Sequence, residues 1–186
     1  KVGRPRDREK SAKWIETIGS INDVNAFSLL SIAEQGIPIE FPDDVLNQAT
    51  AQKPLDADAI SKRTDLRHLN FVTIDPADAR DHDDAVFAEV NPKGGFIVWV
   101  AIADVAHYVR SGSAMDVEAR KRGNSVYMPD RVIPMLPEHL SNDLCSLRVD
   151  QERPCLVVSM EVDADGYKRN HSFFRAIIRI AGKYSY

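Results

Sequence analysis

Five aspartates lie within ten residues, and their spacing is the strongest chemical signal in the sequence. They are Asp75, Asp78, Asp81, Asp83 and Asp84. Packing several carboxylates against strand ends is electrostatically unfavourable unless a cation compensates them. In this segment only Arg80, and His82 when protonated, carry positive charge. The simplest compensating cation is a hard divalent ion such as Mg²⁺, which prefers carboxylate oxygens and retains some of its waters.

The functional hypothesis is that Asp75 and at least two of the other aspartates line one cavity holding one or two metal ions. A metal there aligns a phosphate, lowers the pKa of a bound water and stabilises the leaving oxygen, as in phosphodiester cleavage. Strand alternation would point Asp81 and Asp83 the same way and Asp84 away, whereas a loop or bulge could turn all three toward Asp75. The alternative is an exposed acidic loop.

Two other acidic motifs fit the letters less well. A calcium EF-hand needs Gly at the sixth position of its loop, but counting from Asp81 that position is Val86. An aspartyl-phosphate motif places its nucleophile directly after an apolar strand, whereas Asp81 follows Ala79 and Arg80. The acidic segment is therefore interpreted as a metal site or as an exposed loop.

Composition favours a folded intracellular protein. The 186 residues are 44% hydrophobic, which suits one domain or slightly more with a real core. The net charge of −4 gives no general attraction to a polyanion, although local patches can still bind nucleic acid. Cys145 and Cys155 match no metal-ligand spacing and are predicted to be buried, reduced thiols. No secretory or membrane-spanning stretch is present, so we expect a cytoplasmic protein with no membrane role.

The first third of the sequence is predicted to be helical. Apolar spacing and breakers predict helices over 23–35 and 42–50, the first of them ending at Gly36. Residues 51–65 are polar and Ala-rich and are predicted to form a connector. Residues 1–13 are strongly basic, which is typical of a solvated linker and also compatible with a phosphate-binding arm.

The rest of the sequence has the residue pattern of β-strands. Short apolar runs predict strands over 70–74 and 85–90, a central strand over 96–105 covered on both faces, and a hairpin of 154–162 with 167–181. Further expectations are a helix over 115–122, an extended 125–128, irregular backbone through 129–137 and a helix over 138–144. The order of elements predicts an α+β fold with a largely antiparallel or mixed sheet flanked by helices.

Several segments in order resemble the ribonuclease II / ribonuclease R family, over the first part of its catalytic domain. They are DLRHLNFVTIDPADARDHDDAVFAEV, VAIADVAHYV and RGNSVYMPDRVIPMLPEHLSNDLCSL. Residues 14–50 resemble the segment that precedes this domain in the family, and ribonuclease R is the more similar branch. The resemblance implies a helical pre-domain segment and linker over 1–64 and the N-terminal part of an incomplete ribonuclease II-type catalytic domain over 65–186.

The resemblance implies a processive hydrolase that degrades single-stranded RNA from its 3′ end to nucleoside 5′-monophosphates, with Mg²⁺ as cofactor and Mn²⁺ as a substitute. The four catalytic and metal-binding aspartates of the family fall on Asp75, Asp81, Asp83 and Asp84. Among them, loss of Asp83 is expected to stop the chemistry while sparing RNA binding.

The same resemblance assigns RNA contacts. The aromatic residue that stacks on terminal bases falls on Tyr127. Without the resemblance, a core aromatic would be the preferred interpretation of this residue. Arg120, Lys121 and Arg122 form the nearest basic cluster, and we take Arg122 as an RNA-contacting candidate. An exposed helix face is the alternative for this cluster.

There are departures from the family pattern. His82 stands where the family commonly has an apolar residue. The chain starts with Lys1 and ends without an obvious stop, so we expect a piece of a longer polypeptide. The oligonucleotide-binding modules and the second part of the catalytic domain are not in this sequence, and we expect weak or no activity in isolation. The competing hypothesis is a non-catalytic RNA-binding or assembly module that retains the fold.

Overall fold

The computed structural model describes residues 13–14, 17–20 and 22–186, so most of the basic segment 1–13 lies outside the described residues. The helices are α1 (Ala26–Gln35), α2 (Asp43–Thr50), α3 (Ala57–Ser61), α4 (Val105–Tyr108), α5 (Ala114–Arg122) and a π-helical turn (Leu140–Leu144). The strands are β1 (Thr64–Asp65), β2 (Phe71–Ile74), β3 (Asp84–Val90), β4 (Phe96–Ala103), β5 (Val126–Tyr127), β6 (Val132–Ile133), β7 (Glu152–Val162) and β8 (Lys168–Tyr184). This mixed architecture, with a mostly antiparallel sheet, confirms the predicted fold class.

Local sequence explains most helix ends. Gly36 and Gly123 follow α1 and α5 with φ angles of 62° and 81°, a region that glycine enters without steric cost. The Ser113 hydroxyl caps α5 by accepting the N–H of Asp116. The connector predicted for 51–65 is wrong in part, because the Asp56 side chain caps a short helix there and β1 follows it.

The main sheet closes on itself through its last strand. Its order is β1-β8-β2-β3-β4-β7, and β8 also pairs with β7. The 17-residue β8 runs antiparallel to β7 along its first part and parallel to β1 and β2 along its last part. The predicted β7–β8 hairpin is confirmed, and the C-terminal end of β8 lies beside the end of β2, where the aspartate segment begins.

The two faces of β4 differ in burial. Ala101 and Ala103 are buried in the core shared with α2, α5 and the π-helical turn. Phe96 and Ile102, on the opposite face, are 50% and 45% exposed. The prediction of a strand covered on both faces is therefore wrong for the part of the chain that the structure describes: apolar residues continue on a face that no described helix covers.

The remaining global expectations concern the cysteines and the membrane. Cys145 and Cys155 are both free and buried, and desolvation raises the pKa of the Cys145 thiol to about 12. Neither thiol is therefore activated as a nucleophile. None of the helices in the described residues is long and apolar enough to span a membrane.

Candidate functional site

Asp75, Asp78, Asp81 and Asp83 lie on the segment between β2 and β3, and Asp84 begins β3. Neighbouring strands hold both ends of this segment. The Asp75 backbone N–H donates to the Tyr184 carbonyl at 3.1 Å. The Lys183 ammonium donates to two carbonyl groups of the loop, at 3.2 and 3.0 Å. At the other end the Ala103 N–H donates to the Asp83 carbonyl at 2.9 Å. The last residues of β8 and β4 therefore position the segment.

Residues that follow the π-helical turn form hydrogen bonds with the middle of this segment. The buried Ser146 hydroxyl donates to the Arg80 carbonyl at 2.7 Å and accepts the His82 N–H at 3.2 Å. The Leu147 N–H donates to the His82 carbonyl at 2.8 Å. The His82 ring is buried, and its Nδ1 lies 2.9 Å from Asp75 Oδ2. The backbone between the first and the later aspartates is thus tied to the core.

Three of the four predicted aspartates line two adjoining cavities. Asp75 and Asp81 line a cavity of about 720 Å³, and Asp81 and Asp83 line a neighbouring one of about 600 Å³. Tyr127 lines both cavities, so Asp81 and Tyr127 form the wall between them. Apolar residues contribute to the second cavity, namely Val105, Ala106, Val109, Ala119, Met135 and Leu136. The structure therefore brings Asp75, Asp81 and Asp83 to one region.

Asp84 is placed differently. It is the first residue of β3 and pairs in register with Ile102, whereas the next residue, Ala85, is buried in the core. Consecutive strand residues point to opposite faces. Asp84 is exposed and lines neither of the two cavities. Its contribution to the site in this structure is its charge.

The negative charges of the other three aspartates act on Asp83. Although Asp83 is exposed as a residue, its carboxyl group loses part of its hydration, and this desolvation raises its pKa above the ordinary value. The negative charges of Asp81, Asp84 and Asp75 raise the pKa of Asp83 further, and His82 opposes them. An uncompensated group of carboxylates is the environment that a bound cation would relieve.

Tyr127 lies on the β5–β6 hairpin, inside the region predicted to be extended and then irregular. Its side chain is 64% exposed, so it is not a core aromatic. Its hydroxyl donates to Asp81 Oδ2 at 2.6 Å, and this hydrogen bond is the main reason that the pKa of Tyr127 is raised to about 12. The ring therefore presents an open face beside a candidate metal ligand.

The structure places Arg122 away from the aspartates and buries its guanidinium. The side chain is 3% exposed, and its Nε donates to buried Glu118 at 2.9 Å. Its other nitrogens donate to the carbonyl groups of Pro38 and Glu40, and the guanidinium lies 3.7 Å from the Phe41 ring centroid. This placement does not suit the predicted phosphate contact, because the donors already join α5 to the segment before α2.

Other basic side chains are better placed for an anionic ligand. Arg80 and Arg131 line the same cavity as Asp75 and Asp81. From the sequence, Arg80 was expected only to offset the charge of the aspartates, and Arg131 was not predicted. Adjacency to Asp81 in the chain was a usable signal for Arg80. Arg131 gave no such signal, because its approach depends on the β5–β6 turn.

The donor set suits a hard cation, although it is not a finished ligand cage. Within the described residues, no three His, Cys, Asp or Glu side chains converge as a ready metal-binding group. Mg²⁺ commonly keeps several waters and takes only one or two protein carboxylates, so a three-ligand cage is not required. The carboxylates of Asp75, Asp81 and Asp83 are the oxygen donors that this chain would offer.

Comparison with known proteins gives concordant matches. The RNB domain model matches residues 63–186. A protein named Ribonuclease R from Vibrio parahaemolyticus is 42% identical over 182 residues, covering 97% of this chain and 22% of that protein. Ribonuclease R from Acidithiobacillus ferrooxidans is 48% identical over 158 residues, covering 84% of this chain and 36% of that sequence. The chain therefore spans between about a fifth and about a third of the length of these relatives.

Solved structures agree with the sequence matches. RNase R of Mycoplasma genitalium in complex with double-stranded RNA superposes with a TM-score of 0.86 at 36% identity, covering 91% of this chain and 30% of that one. The same enzyme in complex with ribose methylated single-stranded RNA gives a TM-score of 0.85, covering 90% and 26%. The fold of this chain is therefore found in a protein seen bound to both forms of RNA.

Proposed function

The chain belongs to the RNB domain family, and on that premise we propose that it is the first part of the catalytic domain of a processive 3′-to-5′ exoribonuclease. The substrate would be single-stranded RNA and the products nucleoside 5′-monophosphates. The observation that carries the proposal is the wall formed by Asp81 and Tyr127, with Asp75 on one side and Asp83 on the other. This wall places carboxylates that suit a metal ion beside an exposed aromatic ring that suits stacking on a nucleobase.

The proposed metal is a divalent cation, Mg²⁺ with Mn²⁺ as a substitute. One or two of the carboxylates of Asp75, Asp81 and Asp83 would ligate it directly, with waters completing its coordination. Asp84 would act through its charge in the arrangement described. When bound, the cation would balance the carboxylates, orient the scissile phosphate and lower the pKa of a coordinated water. The raised pKa of Asp83 supports this assignment, because partial desolvation and the charges of Asp81, Asp84 and Asp75 together disfavour its ionised form.

The proposed base contact is Tyr127. Its exposed ring can stack on any nucleobase, since every base has a π-face, and the apolar lining of the second cavity suits a stacked base. The hydrogen bond from its hydroxyl to Asp81 places this contact beside the proposed metal ligands. An enzyme that degrades RNA of any sequence needs such a contact, which does not depend on base identity.

The proposed phosphate contacts are Arg80 and Arg131 in place of Arg122. Both line the cavity that contains Asp75 and Asp81, and Arg80 is exposed. Arg122 supports the site indirectly, because it fastens α5 to the chain before α2 and also donates to the Pro134 carbonyl after β6. This arrangement helps to place the β5–β6 hairpin on which Tyr127 lies.

We place the boundary between the pre-domain segment and the catalytic part near residue 64, at β1. The contacts between the two parts, through Arg122 and through α2 on α5, suggest that the pre-domain segment stabilises the catalytic part. We propose a cytoplasmic location, which suits two free cysteines and an RNA substrate.

The direct test is digestion of 3′- and 5′-labelled single-stranded RNA in Mg²⁺, with the 186-residue chain and with any longer product of its reading frame. We expect any longer product to shorten the RNA progressively from its 3′ end with release of nucleoside 5′-monophosphates, and the 186-residue chain to do so weakly or not at all. The matched variants are Asp83→Asn, expected to abolish release while RNA binding persists, and Asp165→Asn in the exposed β7–β8 turn, expected to leave it unchanged. Endonucleolytic products, or full activity in Asp83→Asn, would refute the proposal.

A second function deserves the same assay because the ligand cage is incomplete in the described residues. A non-catalytic RNA-binding or assembly module would bind RNA without shortening it and would need no divalent cation. Yeast Ssd1, described as a pseudonuclease, shares the fold at 24% identity with a TM-score of 0.64. RNA binding that is unaffected by Mg²⁺, together with the absence of metal binding, would favour this function.

A further inference from the structure

The imidazole of His82 is placed to orient a carboxylate of the proposed metal site. Its Nδ1 lies 2.9 Å from Asp75 Oδ2, within the range of a charge-assisted hydrogen bond. The His82 side chain is 7% exposed and that of Asp75 is 17% exposed, so water does not compete strongly for this contact. Since an ionised carboxylate only accepts hydrogen bonds, this contact is a hydrogen bond when Nδ1 carries the proton.

The backbone around His82 is fixed independently of Asp75. The N–H and C=O of His82 bond to Ser146 and Leu147, which follow the π-helical turn. Ser146 is completely buried and also bonds to the Arg80 carbonyl. The imidazole therefore approaches Asp75 from a rigid base in the core, whereas Asp75 lies at the end of β2.

We infer that His82 is a positioning residue, which holds Asp75 Oδ2 by its Nδ1–H and so presents Oδ1 to a divalent cation. This inference rests on the proposed function, since it assigns a role toward the metal. Hydrogen bonds from a neighbouring group to a metal-ligating carboxylate fix its orientation, and loss of such partners typically lowers metal affinity about 10- to 100-fold. His82 thus replaces the apolar packing expected at this position with a directional contact.

The test is a calorimetric titration of the 186-residue chain with Mn²⁺. His82→Phe keeps the ring volume and removes the donor, and we expect affinity to fall about 10- to 100-fold. His82→Asn places an amide N–H near the position of Nδ1 and is expected to recover most of that loss. His68→Phe makes the same substitution at an exposed histidine and is expected to bind Mn²⁺ like the original chain.

Each outcome separates this inference from the proposed function. Equal Mn²⁺ affinity in His82→Phe and the original chain would overturn the positioning role and leave the metal site standing. No Mn²⁺ binding by the original chain would overturn the metal site and the positioning role together. A loss in His82→Phe that His82→Asn does not recover would also overturn the role of the donor.

A second measurement does not depend on any variant folding. Nitrogen-15 NMR of the imidazole groups distinguishes a protonated Nδ1 from an unprotonated one. We expect the His82 signal of the original chain to show a proton on Nδ1, both without metal and with Mg²⁺ added. A neutral ring with its proton on Nε2 would overturn the inference, because a lone pair would then face the carboxylate.

Discussion

Two groups of charged side chains in this protein differ in whether opposite charge balances them. At the end of β4, Asp104 is 5% exposed and lies 2.6 Å from Arg63 and 3.2 Å from Arg175. A short distance along the chain, Asp83 has three carboxylates as its main charged neighbours, and its pKa is raised. Guanidinium groups balance the first carboxylate, whereas the charges that act on the second are mostly those of other carboxylates.

The difference separates structural charge from functional charge. A buried carboxylate that meets guanidinium groups stabilises a fold only as long as both partners remain. A carboxylate surrounded by like charges destabilises the fold and is retained in a protein when it binds or catalyses something. Arg122 belongs with the first group, although its position in a basic cluster suggested the second.

The largest effect should come from breaking the balanced group. Asp104→Asn leaves the guanidinium of Arg63 buried without its counter-ion, and we expect the free energy of unfolding to fall by about 3–5 kcal/mol. Urea denaturation followed by circular dichroism measures this change. The control is Asp58→Asn, which removes an exposed pair with Lys62 and should cost no more than about 0.5 kcal/mol. Similar losses of stability in both variants would contradict the structural role of the Asp104–Arg63 pair.

The next effect tests whether Arg122 is structural. Arg122→Met leaves buried Glu118 with only a 3.8 Å contact to Lys121, and we expect a loss of about 2–3 kcal/mol in unfolding free energy. Lys121→Met, at an exposed neighbour, should change stability by less than about 0.5 kcal/mol. Weakened RNA binding in Arg122→Met with stability unchanged would return Arg122 to the RNA contacts.

Substitutions of Tyr127 test whether the region around the aspartates binds RNA and a metal ion. Tyr127→Ala removes the stacking ring, and we expect binding of single-stranded RNA to weaken by about 1–3 kcal/mol. Tyr127→Phe keeps the ring but frees Asp81 from its hydrogen bond. RNA affinity should therefore persist while Mn²⁺ affinity falls, because a carboxylate ligand loses a partner that orients it. Fluorescence anisotropy with labelled RNA measures the first effect and calorimetry the second. Equal RNA affinity in the Ala variant would argue against a stacking role.

The smallest effect is the dependence of stability on pH at Asp83. Its pKa is raised in the folded protein, so the folded state binds this proton more tightly than the unfolded state. The stability that this group contributes is present below its unfolded pKa and is lost as pH rises through its folded pKa. We therefore expect Asp83→Asn to be more stable than the original chain at neutral pH without metal, with the difference vanishing near pH 3. A destabilised Asn variant at neutral pH would contradict the unbalanced charge.

Local signals in the sequence predicted much of the fold. Apolar runs located β2, β3 and β4, and loose alternation followed by a turn located the β7–β8 hairpin. Glycines marked the ends of α1 and α5. The alternation argument also separated Asp84, the first residue of β3, from Asp83, which precedes the strand and lines the second cavity. Side-chain contacts over long sequence separations were beyond such signals. Arg63 and Asp104 are separated by 41 positions in the sequence, so their pairing could not be predicted from the residues around either one.

The candidate site was also predicted only in part, because local sequence signals do not show contacts between distant residues. Clustering in sequence was enough to propose the aspartates, because one loop carries them all. Clustering misled at Arg122, since a basic neighbourhood does not reveal that Glu118 and the Pro38 and Glu40 carbonyl groups capture the guanidinium. Nothing local pointed to the Tyr127–Asp81 hydrogen bond, which spans 46 residues.

The most direct test of the central claim is whether the unbalanced carboxylates bind a divalent cation. Calorimetric titration with Mg²⁺ and Mn²⁺ would compare the original chain with Asp83→Asn and with Asp165→Asn. We predict saturable binding in the original chain and in Asp165→Asn, and strongly weakened binding in Asp83→Asn. Absence of binding in the original chain, or equal binding in all three proteins, would contradict the claim that these carboxylates form a metal site.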